Sequence, residues 1–284
     1  MSMMNRVSKA LNDTLPSLKS IAKMLLLSKC VRAPKPTDAS KPIIILGNGP
    51  SLRDTIEQYG SALADATTMA VNFAANAPEF ASLKPDYYIL VDPHFFVNTA
   101  DANVAKLWTN IASASWRMTL IVPSKEAKRL PAAIASNPNI LIAKVNPVGV
   151  EGWQWLENVA YGKGWGMPRP RNVLIPAIMA AIIMGYKQIY VAGADHSWLK
   201  TLSVDEENHV VSIQPHFYKE DDKELKRIRT DYLQYPLHQI LESFTIAFRS
   251  YHRLQRYAAS HGIQVINSTT GSFIDAFPRA RIPL

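Results

Sequence analysis

At 284 residues the chain is long enough for one large domain, or one domain with appendages. A net charge of +8 points to anionic partners, and a lone cysteine, Cys30, excludes an internal disulfide or a cysteine-based zinc cluster. No run approaches the ~20 apolar residues of a membrane-spanning helix, and the N-terminus lacks the apolar core and cleavage site of a secretory signal, so a cytoplasmic location is expected.

Residues 1–40 read as an appendage. Thr14 can cap a helix with Pro16 in its first turn. Leu15, Leu18, Ile21, Ala22, Leu25 and Leu26 recur at helical spacing, with Lys19, Lys23 and Lys29 among or beside them. Over residues 14–30 this is a basic amphipathic helix of the kind that rests on an anionic membrane surface, here the inner face of the cell membrane. A helix packed on the domain, a partly ordered arm and an organellar transit segment are the other readings. Arg32 to Ser40 is a proline-containing linker.

From Lys41 strands and helices alternate. Ile43 to Leu46 is a short buried strand, Gly47-Asn48-Gly49-Pro50 a tight turn, and Ser51 with Asp54 a capping-box start for a helix running towards Gly60. A strand, a glycine turn and a helix N-terminus make a ready site for a phosphate, and equally a plain connection. Further strands are expected at 68–71, 87–91, 118–122 and 140–145, ending at Asn72 and Asp92 in the second and third cases. Near-continuous apolar strands in β–α units predict a parallel sheet covered on both faces, with ligands beyond the carboxyl ends of the strands. Asn48, Asn72 and Asp92 should therefore face one crevice.

Residues 147–171 break the alternation with five glycines and with Trp153, Trp155 and Trp165. They read as a lid-like or acceptor-binding segment, or as a structured excursion with its own satellite core. An apolar helix, Asn172 to Gly185, leads to a buried strand over 187–193. From its end come Asp195, His196 and Ser197, a polar cluster at the predicted crevice. His196 is read as a catalytic base, a phosphate donor or a loop histidine bonded to backbone. The charged segment 199–235 is a second lid-like stretch containing His209 and His216. A long amphipathic helix from Leu237 to Ser260, a last strand at 264–266 and a short helical or capped element from Ser272 complete the chain. The dispersed basic residues argue against nucleic acid as the partner.

The glycine turn, Asn72 and the stretch from Met184 through Tyr190 and Gly193 to Asp195 resemble the bacterial sialyltransferases of glycosyltransferase family 42. Asn267 to Phe277 is similar to that family's C-terminal segment. The same segments resemble the broader MptE-like superfamily, which includes a pterin diphosphokinase and proteins of surface-glycan and flagellin-glycosylation systems. The resemblance implies a single Rossmann-like transferase domain over 41–284 that inverts the anomeric centre of a nucleotide sugar, a CMP-sugar above others, without a metal. It implies a cell-surface glycan as acceptor. By position, Gly47, Asn48, Gly49, Ser51, Asn72, Asn172 and Gly193 would contact the nucleotide, and His216 would be the base, with His196 as the other candidate.

Two departures stand out. Asp92 occupies the place of a second asparagine. The family's two tyrosines that steady the departing phosphate lack clear counterparts, and Asp195, His196 and Ser197 stand after Gly193 instead. These departures leave room for another donor sugar, for a Mg²⁺–ATP diphosphokinase of a small hydroxymethyl, pterin-like substrate in which Asp92 and Asp195 hold the metal, or for a non-catalytic nucleotide-binding protein.

Overall fold

A computed structural model describes residues 3–34, 36, 38–211 and 234–284, with side chains from residue 11 onward. Its centre is a seven-stranded sheet in the order β5-β4-β3-β2-β1-β6-β9. The strands are β1 (Ile43–Leu46), β2 (Thr68–Val71), β3 (Tyr87–Ile89), β4 (Met118–Pro123), β5 (Ile140–Val145), β6 (Gln188–Ala192) and β9 (Gln264–Asn267). Every pairing within it is parallel. The expected Rossmann-like architecture is thus present, with strand ends shifted by one or two residues.

The two-residue period of a strand divides the core. Ile43 and Ile45 of β1 point to one face, where they join Val191 and Val265. Ile44 and Leu46 point to the other, against Leu52 and Leu63 of α2 (Ser51–Ala64). Both faces being covered explains why these strands lack polar alternation.

Helix α8 (Leu174–Met184) has ten of its eleven residues buried, because it lies between the sheet and α9 (Leu237–Ser260). An all-round apolar helix is stable only in such a sandwiched position. Helix α9 is amphipathic and carries Tyr251, Leu254 and Ala258 to the same core.

Three local expectations are corrected. Helix α1 (Met3–Leu27) begins well before Thr14, so Thr14 is no cap and Pro16 lies inside the helix. The capping box at Ser51 does not form: Pro50 is the N-cap and makes no side-chain bond. Residues 272–277 are not helical; the Ser272 hydroxyl donates to the Ala194 carbonyl and accepts from the Ile274 N–H.

Of the two readings of residues 147–171, the structured excursion is the one present, and it contains α7 (Gln154–Gly162). Its Glu157 is almost fully buried, accepts from the Gly152 N–H and pairs with Arg253 and Arg256 of α9. Burial raises the Glu157 pKa despite these two arginines. Such a network holds α7 to α9. The second lid-like stretch contributes a small antiparallel hairpin, β7 (Ser203–Val204) with β8 (Val210–Val211). His216 lies outside the described residues.

Candidate functional site

The chain runs outward from β1 through β2, β3, β4 and β5, then crosses back to place β6 on the other side of β1, so the winding of the sheet reverses between β1 and β6. Such a switch point opens a crevice at the carboxyl ends of the strands. Here the two exits are bound backbone to backbone: the Gly47 N–H donates to Ala192 O and the Gly49 N–H to Gly193 O, both at 2.8 Å. A Cβ on Gly47 would sit 2.4 Å from Gly193 O, and one on Gly193, at φ +66°, 2.6 Å from Gly47 O. Only glycine permits that approach.

Above this floor lies a cavity of about 660 Å³. Asn48 enters it from the end of β1, Asn72 from β2, and Asp92 and His94 from β3. Arg171 and Asn172 enter ahead of α8, while Gly193, Asp195, His196 and Ser197 line the β6 side. Phe244 and Ala247 of α9 form an apolar wall.

Three asparagines share an unusual condition. Asn48 Oδ1, Asn72 Oδ1 and Asn172 Nδ2 are buried and have no hydrogen-bond partner among the described residues. Their orientations are set by neighbours. Asn48 Nδ2 donates to Val71 O at 3.1 Å, which turns Oδ1 away from that bond. Asn172 Oδ1 accepts from the N–H groups of Leu174 and Ile175 and from the Tyr251 hydroxyl, which leaves Nδ2 as the free end. Asn72 is held at φ +48°, a conformation that asparagine tolerates better than most residues. Buried polar atoms are rarely left unpaired, so two acceptors and one donor at one cavity mark a place for a polar ligand.

His196 sits beside them in the left-handed region at φ 50°, ψ 29°. Its ring packs on Trp198, with centroids 4.2 Å apart, and against Tyr251 and Phe248. Tyr251 Oη lies 2.7 Å from His196 Nε2. The tyrosine proton goes to Asn172 Oδ1, an acceptor shared with two N–H groups. His196 Nε2 is therefore the donor to Tyr251, and Nδ1 keeps the lone pair. Desolvation lowers the His196 pKa from 6.5 to about 3, so the ring is neutral across the physiological range.

The N-terminus of α2 is occupied by the chain itself. Asp195 Oδ2 accepts from the Ser51 hydroxyl at 2.8 Å and from the Ser51 N–H at 3.3 Å. The same oxygen fills the space beside Gly49, where a Cβ would lie 2.0 Å from it. A carboxylate stands where a helix N-terminus would hold a phosphate. Nor does Ser51 line the cavity.

A family model described as 6-hydroxymethylpterin diphosphokinase MptE-like matches residues 12–201, more than half of the chain. The chain belongs to the MptE-like family. This MptE-like chain is also similar in structure to the MAf glycosyltransferase from Magnetospirillum magneticum AMB-1, at 14% identity and a TM-score of 0.51. The match covers 93% of this chain and 38% of that one, so the chain spans well under half the length of that protein, and the likeness is one of fold. Among curated proteins none matches the sequence.

The structure of this MptE-like chain brings Gly47, Asn48, Gly49, Asn72, Asp92, Asn172, Gly193, Asp195, His196 and Ser197 to one cavity. Trp153, Trp155 and Trp165 do not line it; of their segment only Pro147, Pro170 and Arg171 do. Sequence reasoning missed Arg171, His94 and Tyr251. The first two were legible as basic residues beside a predicted helix start and strand end. Tyr251 was not, because its helical spacing reads as core.

Proposed function

We propose that the protein is a glycosyltransferase-type enzyme that moves a sugar from a nucleotide-sugar donor, CMP-sugar in the first instance, to a hydroxyl of a glycan acceptor. The single observation that carries this reading is the trio of unpartnered buried atoms on Asn48, Asn72 and Asn172 at the switch-point cavity. A nucleotide offers donors and acceptors in close order and satisfies both kinds. Arg171 on the cavity wall suits the donor phosphate, since α2 is already closed by Asp195. The MAf glycosyltransferase shares the fold, which agrees with the reading.

In the proposed step the acceptor hydroxyl oxygen attacks the anomeric carbon. The bond from that carbon to the nucleotide phosphate breaks, and the phosphate leaves with the electron pair. His196 Nδ1 takes the hydroxyl proton. Tyr251 fixes the tautomer that leaves Nδ1 free; burial alone makes the imidazolium costly, so the step requires the negative charge of the bound donor phosphate to raise the proton affinity of the ring. A single displacement of this kind inverts the anomeric centre.

The family match favours a second reading, diphosphoryl transfer from ATP to a small hydroxymethyl compound. In that reading Asp92 and Asp195 would each hold Mg²⁺ through the one carboxylate oxygen that is not already engaged. Asp195 Oδ2 is committed to Ser51, and Asp92 Oδ1 accepts from the His94 N–H at 2.8 Å. Among the described residues the three-ligand grouping is Asp205, Glu207 and His209, on the β7–β8 turn and not on the cavity.

The test is release of CMP from a CMP-sugar with and without a chelator. Release that persists in chelator and falls at least about 100-fold in His196→Gln supports the proposal. Turnover of ATP to AMP that stops in chelator overturns it. Loss of activity in His216→Ala with full activity in His196→Gln moves the base to His216.

A further inference from the structure

Helix α1 is seated on the domain through Ser17, Ser20, Ile21 and Met24 and turns a row of leucines outward. Ser17 and Ser20 are buried against the 151–153 segment. The Ser17 hydroxyl accepts from the Trp153 N–H at 2.8 Å, and the Ser20 hydroxyl exchanges bonds with the Glu151 N–H and carbonyl. A Cβ at Gly152 would lie 2.1 Å from Ser17 Oγ, so the helix sits directly on the backbone there. Ile21 and Met24 pack on the main core. Past the helix, the Lys29 N–H and carbonyl are both bonded to the Asn146 side chain, which anchors its exit.

The opposite face carries Leu11, Leu15, Leu18, Leu25 and Leu26, each between 55% and 81% exposed. Their offsets of four, seven, fourteen and fifteen residues from Leu11 keep them on one side of the helix. Trp155 and Trp165, from the excursion that holds α1, are 60% and 44% exposed. Trp155 stacks on Trp153, and Trp165 gives its carbonyl to Ser28 just past the end of α1. Five exposed leucines on one side of a helix, with two exposed tryptophans on the segment that holds it, mark a contact with something else.

We propose that this face lies on an anionic lipid surface, with α1 in the plane of the headgroups and the two tryptophans beside it. Charge decides between lipid and a second copy of the chain. Lys19 and Lys23 are exposed on the helix, and Lys29 and Arg32 follow it, whereas the acid of its described part, Asp13, is partly buried. Two such faces brought together would set lysines against lysines; an anionic bilayer attracts them. Tryptophan suits the headgroup level, where one edge of the ring is wet. Among the described residues no helix is long and apolar enough to cross a membrane, so the contact is one of lying on the surface. Leu27, the last residue of α1, lines a small cavity of about 150 Å³ that shares Val91, Pro93 and Pro147 with the main one. The surface therefore adjoins the candidate site, and the inference does not depend on which group that site transfers.

Flotation of the full chain with vesicles tests this. Wild type should float with vesicles of phosphatidylcholine mixed with phosphatidylglycerol, much less with phosphatidylcholine alone, and less as salt rises. The Leu18→Asp, Leu25→Asp double variant should lose at least about tenfold in partitioning while keeping its circular dichroism and melting temperature, since both side chains point away from the core. Failure of wild type to float with anionic vesicles overturns the proposal. So does a wild-type dimer that the same double variant converts to monomer, which would make the face a protein–protein contact.

Discussion

Asp195, just beyond the end of β6, closes the N-terminus of α2 by accepting both the hydroxyl and the N–H of Ser51, residues 144 positions apart. The Asp195 side chain thus ties the two sides of the switch point, as the bonds from Gly47 N–H to Ala192 O and from Gly49 N–H to Gly193 O tie them through backbone.

This contact sets a stability order. Asp195→Ala removes an N-cap-type acceptor and should cost about 1–2 kcal/mol in urea unfolding. Asp195→Asn keeps an oxygen and should cost less. Gly49→Ala should be worse than either, because its Cβ would meet Asp195 Oδ2 at 2.0 Å and Gly193 O at 2.8 Å. An Asp195→Ala protein as stable as wild type contradicts the structural role.

His196 gives stability a pH dependence. In the unfolded chain it binds a proton near pH 6.5; in the folded protein burial defers this to about pH 3. Between those values the unfolded state holds one more proton, so this contribution to stability falls as pH falls, by about 1.4 kcal/mol per pH unit. Urea unfolding of wild type and His196→Gln at a series of pH values isolates the effect, because other groups cancel in the difference. The wild-type advantage should shrink steadily below pH 6.5. A constant difference contradicts a buried neutral imidazole.

Tyr251 should act through His196. Tyr251→Phe removes the acceptor of His196 Nε2–H and a donor to Asn172, so both tautomers of the ring become open to it. The expected result is a fall in kcat of about 10-fold or more with KM for the donor nearly unchanged, the pattern of a positioning residue. A rise in KM alone would assign Tyr251 to donor binding instead.

The sheet was legible because its strands are short apolar runs ending in Asn48, Asn72, Asp92 and Gly193, which parallel topology carries to one edge. Less legible was what Ser51 does. Its sequence neighbour Asp54 suggested a local capping box, while its partner, Asp195, is distant in sequence and reaches it only after β6 pairs with β1. The hydrogen-bonded set of Asn172, Tyr251 and His196 was hidden for the same reason: three segments meet there, and Tyr251 carries the periodicity of a core residue. The tryptophans of 147–171 left two readings open. Their composition suits a loop over the site, but the buried Glu157 network holds the segment to α9, and α1 packs beside it.

If a nucleotide completes the unpartnered asparagine atoms, a thermal-shift panel of CMP, CDP, UDP, GDP and ATP, each with and without Mg²⁺, will register it. Bound nucleotide raises the melting temperature by mass action. A cytidine nucleotide should raise it without Mg²⁺, with an affinity lowered about tenfold or more in Asn48→Ala and Asn72→Ala, each read against its own unliganded melting temperature, because Asn48→Ala also loses the bond to Val71 O and alanine is strained at the φ of +48° held by Asn72. A rise with ATP and Mg²⁺ alone, or a rise that both variants retain in full, would contradict this.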